Sequence, residues 1–319
     1  MKKIIIISGP TATGKTDVAI KLAKNINGEI ISADSRQLYK KLNIGTNKPT
    51  KKQLSSVKHH LINIAYINSK QQFNAGDFVR LSNNKIENIL NRKKIPVIVG
   101  GTGLYIKSLI DGLIDIKGNK KIRNSILNIF KKHGLDFLFR KLKKLDPETA
   151  KMIDKKNPVR VIRAVEICLL TGKKYSALKK ITNKPKYDFL IFCLNMDRKQ
   201  LYRNINKRVD MMINKGLINE TKKIVNEFSY KNPILQSTIG YKEIIGYLTG
   251  THTKETAIEL LKQNTRKYAK RQLTWFKKDK RVIWIDACKN PLRKILNYIQ
   301  KSDILYTSER HKKSTFNRC

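Results

Sequence analysis

The sequence predicts an α/β fold: a mostly parallel sheet with helices on both faces, a phosphate-binding loop after the first strand, and a helical insertion lobe. Two observations carry this. The chain opens with an aliphatic run, Ile4 to Ile7, that ends in a glycine-rich turn. Four further aliphatic runs, Glu29 to Ala33, Ile95 to Val99, Tyr187 to Leu194 and Val282 to Ile285, recur between helical segments. Strands that are apolar at every position must be buried on both faces, which a parallel sheet sandwiched between helices provides.

The first element is the most informative. After Ile4 to Ile7 come Gly9-Pro10-Thr11-Ala12-Thr13-Gly14-Lys15-Thr16, a G-x-x-x-x-G-K-T loop, and then Val18, Ala19, Leu22, Ala23 and Ile26 at helical spacing. A buried strand, a glycine turn and a helix N-terminus stand in the order an anion cradle requires. Gly9 and Gly14 let the backbone N–H groups face the anion, Lys15 reaches terminal phosphates, and Thr16 offers its hydroxyl to Mg2+. Asp17 reads as a cap or surface residue.

The second strand ends in Asp34-Ser35-Arg36-Gln37-Leu38-Tyr39. A carboxylate at that tip faces the ligand crevice of an open α/β sheet, where it could accept a proton or organise magnesium water. It could equally cap a following helix. The helix expected over 78–90 places Phe78, Leu81, Lys85, Ile86 and Ile89 on one face. The third long strand runs into Gly100-Gly101-Thr102-Gly103, a second glycine turn at the same sheet edge, which serves either a ligand or a tight connection.

From Gly112 to Pro185 the pattern changes to lysine-rich helical segments without a strand, so the chain divides into a core part over 1–112, a helical insertion over 113–185, and the remainder of the core over 186–319. Arg160 and Arg163 share one helix face there, suited to phosphate oxygens, although Glu166 can neutralise part of that charge. A second helical stretch spans Arg198 to Lys278. Within it Lys262, Arg266 and Lys270 form one basic stripe and Lys267 and Arg271 its neighbour, while Tyr268 and Trp275 are expected on the opposite, core side. Residues 308–319 carry little apolar content and are expected to fray.

Composition sets outer limits. With 68 Lys and Arg against 24 Asp and Glu, the formal charge is +44, which points to a polyanionic partner. Heavy general use of Lys and Asn competes as an explanation, so the placement of particular arginines carries more weight. There is no eighteen-residue apolar run and no leader pattern before Ser8, so a soluble, cytoplasmic protein with no membrane partner is expected. Cys168, Cys193, Cys288 and Cys319 lack metal or disulfide spacing, and the first three read as small core residues. His59 and His60 read as loop or capping residues.

Taken in order, Gly9 to Thr16, Ile31 to Pro49, His59 to Ile62, Val99 to Tyr105, Leu145 to Gly172, Gln236 to Glu243 and Thr265 to Phe276 resemble the bacterial tRNA dimethylallyltransferases. The pieces Asp34 to Tyr39, Gly100 to Tyr105, Ile239 to Glu243 and Tyr268 to Gln272 make the resemblance specific. It implies transfer of a dimethylallyl group from dimethylallyl diphosphate to N6 of adenosine 37, in tRNAs that read codons beginning with U. It further implies that Asp34 accepts or orients the N6 proton with Thr102 beside it, and that the loop from Gly9 to Thr16 together with Arg163 and Mg2+ holds the diphosphate. tRNA-contacting residues would be Asp34, Ser35, Arg36 and Gln37; Val159, Arg160, Val161, Ile162 and Arg163; Ser237, Thr238, Ile239, Gly240, Tyr241 and Lys242; and Arg266, Lys267, Lys270, Arg271 and Gln272. The anticodon stem-loop would be the partner, with a monomer as the default state. Two positions depart from the family pattern, Asn63 and Asn157, where aspartate is usual; each keeps an amide able to cap or hydrogen-bond. The rival expectations are a kinase-like phosphotransferase or NTPase acting with RNA, and a non-catalytic RNA-binding module.

Overall fold

The computed structural model describes residues 3–69, 72–114, 116, 118–180 and 186–301. They form two compact units, one within Met1–Ile110 and Lys186–Cys319, the other within Asp111–Pro185.

The first unit is built on six strands: β1 (Lys3–Ser8), β2 (Gly28–Ser32), β3 (His59–His60), β4 (Ile95–Val99), β5 (Asp188–Asn195) and β6 (Val282–Asp286). Their spatial order is β3-β2-β4-β1-β5-β6, and every pairing is parallel. The five long strands are those expected. The reading of His59 and His60 as loop residues is corrected: they pair with Ile30 and Ile31 as a short edge strand. Two residues are too few to show a period of two.

Alternation along β1 explains its unbroken aliphatic run. Ile4 and Ile6 enter one hydrophobic layer with Ile31, Ile98, Phe78, Ile86 and Tyr241, whereas Ile5 and Ile7 enter the opposite layer with Val97, Phe192, Leu22 and Ile295. Both faces of the sheet are thus covered, and burying each such side chain is worth about 1.5–3 kcal/mol.

The helices of this unit before the insertion are α1 (Lys15–Asn25), α2 (Lys51–Ser56), α3 (Ala75–Asn91) and α4 (Gly103–Asp111). Asn74 and Asp77 form a reciprocal capping box at the start of α3, and Phe78, Ser82, Ile86 and Ile89 are its buried stripe.

The second unit contains α5 (Lys120–Leu145), α6 (Pro147–Met152), α7 (Pro158–Thr171) and α8 (Tyr175–Lys180), with no strand among its described residues. The helical path of α5 is broken at Gly134, whose φ of 76° is left-handed. Leu138, Leu142, Val161, Ile162 and Val165 make its core. Fully buried Asp146 accepts the N–H and hydroxyl of both Thr149 and Ser176. Burial works to raise its carboxyl, yet these hydrogen bonds hold it down at about 2.

Back in the first unit, the helical stretch after Arg198 resolves into α9 (Arg198–Asn214), α10 (Leu217–Phe228), α11 (Pro233–Gln236), α12 (Tyr241–Leu248) and α13 (Lys254–Phe276), and α14 (Pro291–Lys301) follows β6. The breaks fall at Gly216, Gly240 and Gly250, all at positive φ, and at Asn232-Pro233. Cys168 and Cys193 are buried as expected. Cys288 is exposed, which corrects the core reading, because it lies in the turn after β6 rather than in the strand. Cys319 and the segment 308–319 lie outside the described residues. No described helix is long and apolar enough to cross a membrane.

Candidate active site at the carboxyl edge of the sheet

The strand tips of the first unit surround a cavity of about 610 Å3. Its wall begins with the glycine loop. Gly9 has φ 135° and stands where a Cβ would lie 2.4 Å from the Leu194 carbonyl oxygen, so no other residue fits. Gly14, at φ 79°, is the N-cap of α1 with no side chain to compete for the free N–H groups. Lys15 folds back to donate to the Pro10 carbonyl at 2.6 Å, and Thr13 donates to the same oxygen at 2.9 Å.

Lys15 is short of neutralising partners. Burial lowers its ammonium, and the positive charge of Arg208 lowers it further, to about 8, against a smaller opposing effect from Asp34. Burial likewise lowers Arg208 to about 10, with Asp34 again opposing. Two crowded cations with one nearby carboxylate make a site that gains when a multivalent anion enters.

Asp34 sits just beyond β2. Its Oδ1 accepts the N–H of Arg36 at 2.8 Å and of Gln37 at 3.2 Å, which folds the segment into a tight turn. The capping alternative is therefore realised on a turn rather than a helix, and it uses one carboxylate oxygen. The third loop joins here: Ala33 donates to Val99 at 2.7 Å, Thr102 donates its N–H to Ala33 at 3.3 Å, and the Thr102 hydroxyl accepts the Ser35 N–H at 3.1 Å.

Thr11, Ala12, Gly14, Lys15, Thr16, Asp34, Ser35, Arg36, Gln37, Ser237, Thr238, Ile239, Arg271 and Gln272 all line this one cavity, as expected from the three loops converging. Thr102 stands behind the wall, where its hydroxyl accepts the Ser35 N–H. The core placement of Tyr268 is corrected: it lines the cavity beside Asp34, and burial followed by that negative charge pushes its phenol up to about 12. Trp275 is packed against the core, close enough to Gly103 that a Cβ there would meet its ring at 2.2 Å.

Other expected positions are interior. Gln272 is buried, and its amide spans two loops, accepting from Thr11 N–H at 2.9 Å and donating to the Gly101 carbonyl at 2.9 Å. Thr238, Gly240 and Tyr241 are also buried. In the second unit Val161 and Ile162 are core, whereas Val159 and Arg160 are exposed. Thr238 and Gln272 still border the cavity, whereas the expectation of an RNA contact is corrected for the interior Val161, Ile162, Gly240 and Tyr241, because the same segments carry both packing and surface positions. Arg163 donates to Glu166 at 3.0 Å, as expected, and to the Ile116 carbonyl at 2.7 Å; Arg123 shares Glu166 at 2.9 Å.

On α13 the basic residues divide by their partners rather than by stripe. Lys262 pairs with Asp210 at 2.9 Å and Arg266 donates to Asn206 at 2.8 Å, both on α9. Lys267, Lys270 and Arg271 are exposed. Of the two departures, Asn63 accepts from Lys48 at 2.5 Å and Asn157 caps α7 by accepting the Arg160 N–H at 3.3 Å.

Sequence reasoning missed Arg208. It follows Ile205 by three residues and precedes Val209, so it stands at the border of the apolar face of α9, and a basic residue on that border was the available signal.

The family model described as IPP transferase matches residues 37–279. The tRNA dimethylallyltransferase of Halothermothrix orenii is 42% identical over 302 residues, covering 93% of this chain and 92% of that protein. The crystal structure of a full-length tRNA isopentenylpyrophosphate transferase from Bacillus halodurans is similar at 38% identity and a TM-score of 0.70, covering 98% and 100% of the two chains. A eukaryotic dimethylallyltransferase captured acting on tRNA is similar at 30% identity and a TM-score of 0.82, covering 96% of this chain and 80% of that one.

Proposed function

The chain belongs to the IPP transferase family, and from that premise we propose that it transfers the dimethylallyl group of dimethylallyl diphosphate to N6 of adenosine 37 in tRNAs reading codons that begin with U. The observation that carries the reading is the convergence of Lys15, Arg208 and Asp34 on one cavity at the strand tips.

The glycine loop is the P-loop of this reading, and it receives the diphosphate. The free N–H groups at the start of α1, Lys15 and Arg208 face an anion whose negative charge grows as the allylic C–O bond breaks, so they stabilise the transition state more than the ground state. The electron pair of that bond leaves with diphosphate. The adenine N6 forms the new C–N bond, and Asp34 takes the proton released there, using the oxygen that its turn leaves free. Positioned base catalysis of this type contributes about 10²–10⁴ in rate. Thr102 holds the segment next to Asp34, and the adenine reaches it after leaving its stack.

Mg2+ fits as a partner of the diphosphate rather than as a resident ion. Among the described residues no group of three His, Cys, Asp or Glu could hold a metal. Thr16, on the cavity wall, supplies one hydroxyl, the pattern of a magnesium that keeps waters and phosphate oxygens. When bound it would neutralise charge on the departing diphosphate. Exposed Lys267, Lys270 and Arg271 supply contacts to the anticodon arm.

Unmodified tRNA mixed with radiolabelled dimethylallyl diphosphate, with a parallel reaction on ATP, tests the proposal. Label in the tRNA is expected. Phosphate release from ATP with unlabelled RNA would replace prenyl transfer by phosphotransfer.

A further inference from the structure

Glu220 belongs to none of the segments that line the cavity, yet it makes a dense set of hydrogen bonds. From the first turn of α10 its carboxylate accepts the N–H of Ile44 at 2.9 and 3.0 Å, the N–H of Gly45 at 3.2 Å and the Tyr241 hydroxyl at 2.6 Å. Tyr241 is fully buried, and its ring lies so close to Gly45 that a Cβ there would come within 2.6 Å of it. Lys48, in the same loop, donates to the Tyr39 carbonyl at 2.7 Å and to Asn43 at 3.1 Å. The base of the loop is therefore clamped from three directions.

What the loop does next makes the clamp functional. Gly45, Thr46, Asn47 and Pro49 form part of the cavity wall. The carbonyls of Thr46 and Asn47 each accept from Gln37 Nε2 at 3.2 Å, and the Gln37 N–H is one of the two that hold Asp34 Oδ1. A continuous chain of hydrogen bonds runs from Glu220 through the loop and Gln37 to the carboxylate of Asp34.

We propose that Glu220 is a positioning residue for the transfer reaction, fixing the 43–49 loop so that Gln37 orients Asp34. The inference rests on the function proposed above. Charged acceptors suit the task, because a carboxylate can receive several N–H and O–H donors at once without presenting a donor of its own.

The test uses the full chain with Glu220→Gln and Tyr241→Phe. In Glu220→Gln the amide oxygen can still receive these donors, but the NH2 group then faces the Ile44 N–H in place of the second oxygen that accepted it at 3.0 Å, and the acceptor loses its charge; in Tyr241→Phe only one donor is lost. Three quantities are read: amide hydrogen exchange at Ile44 and Gly45, kcat, and KM for each substrate. Glu220→Gln is expected to speed exchange at Ile44 above all and to lower kcat about tenfold or more, since misplacement by about 1 Å costs up to about 10²-fold, with both KM values within about threefold of wild type. Tyr241→Phe should show the same split in smaller measure. A folded Glu220→Gln protein with unchanged kcat overturns the inference, as does a loss confined to KM for tRNA, which would make the loop an RNA-binding element only. If Glu220→Gln does not fold, Tyr241→Phe decides by the same criteria. Wild-type protein without transfer activity would instead sink the function itself, and the exchange measurement keeps the two failures apart.

Discussion

The Thr102 hydroxyl accepts the backbone N–H of Ser35 at 3.1 Å, so the residue that follows Asp34 is fastened to the turn after β4 rather than to its own strand. Strand order makes this possible: β2 and β4 are adjacent, and their tips end level because Ser32 pairs with Val99. A valine at position 102 keeps the shape and loses the acceptor. Thr102→Val is expected to cost about 1–3 kcal/mol of stability for the orphaned N–H and to lower kcat, whereas Thr102→Ser retains both. Chemical denaturation and single-turnover transfer on the three proteins check this, and equal rates in all three would restrict Thr102 to packing.

Asp34 is best tested by separating its charge from its turn. Asn at this position still offers an oxygen to the N–H groups of Arg36 and Gln37, so the local fold survives while the base disappears. Asp34→Asn should reduce the chemical step by about 10²–10⁴ and leave tRNA affinity nearly intact. Asp34→Ala should lose the turn as well. Rapid-quench rates beside equilibrium tRNA binding measure the two effects, and parallel losses in rate and affinity would make Asp34 an RNA-positioning residue.

The glycine loop, the five long strands and the apolar face of α3 were legible because each depends on a local pattern: fixed glycine spacing, continuous aliphatics, or apolar residues three and four apart. Arg208, Glu220 and the cavity-facing role of Tyr268 were not. Their partners lie far away in sequence, with Glu220 reaching Ile44 and Tyr268 lining one cavity with Asp34, and such pairs leave no periodic trace. Gln272 shows the converse: its segment read as a basic surface, but this side chain points inward to join two glycine turns.

Lys15 gives a prediction in pH. Its ammonium sits at about 8 in the folded protein against 10.5 unfolded, lowered by burial and then by Arg208. Between these values the unfolded chain binds more protons, so this group makes stability rise with pH from about 8 to 10.5. An entering diphosphate favours the charged form and should draw in a proton. Calorimetry of inorganic pyrophosphate binding at pH 8.5, in buffers of different ionisation heat, is expected to show proton uptake that Lys15→Met diminishes. Identical uptake in both proteins would place the titrating group elsewhere.

Glu29 offers a structural counterpart at the opposite end of the strands. Its carboxylate, 2% exposed, receives His60 and Arg92 at 2.7 Å and Lys94 at 3.2 Å. Burial works to raise it, but these three partners bring it to about 2. The stability it confers is complete above the unfolded value of 4.5 and is lost as pH falls toward 2. Arg92 and Lys94 reach water, so Glu29→Gln should cost less than the roughly 3–5 kcal/mol of a fully buried broken pair. Its acid limb should also be flatter than wild type. Urea midpoints at pH 3 and pH 7 read both effects, and an unaltered pH slope would show that other carboxylates dominate acid unfolding.

The engaged and the exposed basic residues of α13 should separate in their salt dependence. Lys262 and Arg266 are engaged with Asp210 and Asn206, so replacing them perturbs the α9 contact before it touches RNA. Lys267 and Lys270 face solvent, and each alanine substitution there should weaken tRNA binding uniformly and shrink the salt slope by about 1. Arg271 lies 5.8 Å from the Tyr268 ring centroid and also lines the cavity, so Arg271→Ala should lower kcat as well as affinity. Binding measured across a salt series, with kcat at saturating tRNA, distinguishes them. Slopes unchanged in Lys267→Ala, Lys270→Ala and Arg271→Ala would remove this helix from the RNA surface and leave its charge to solvation.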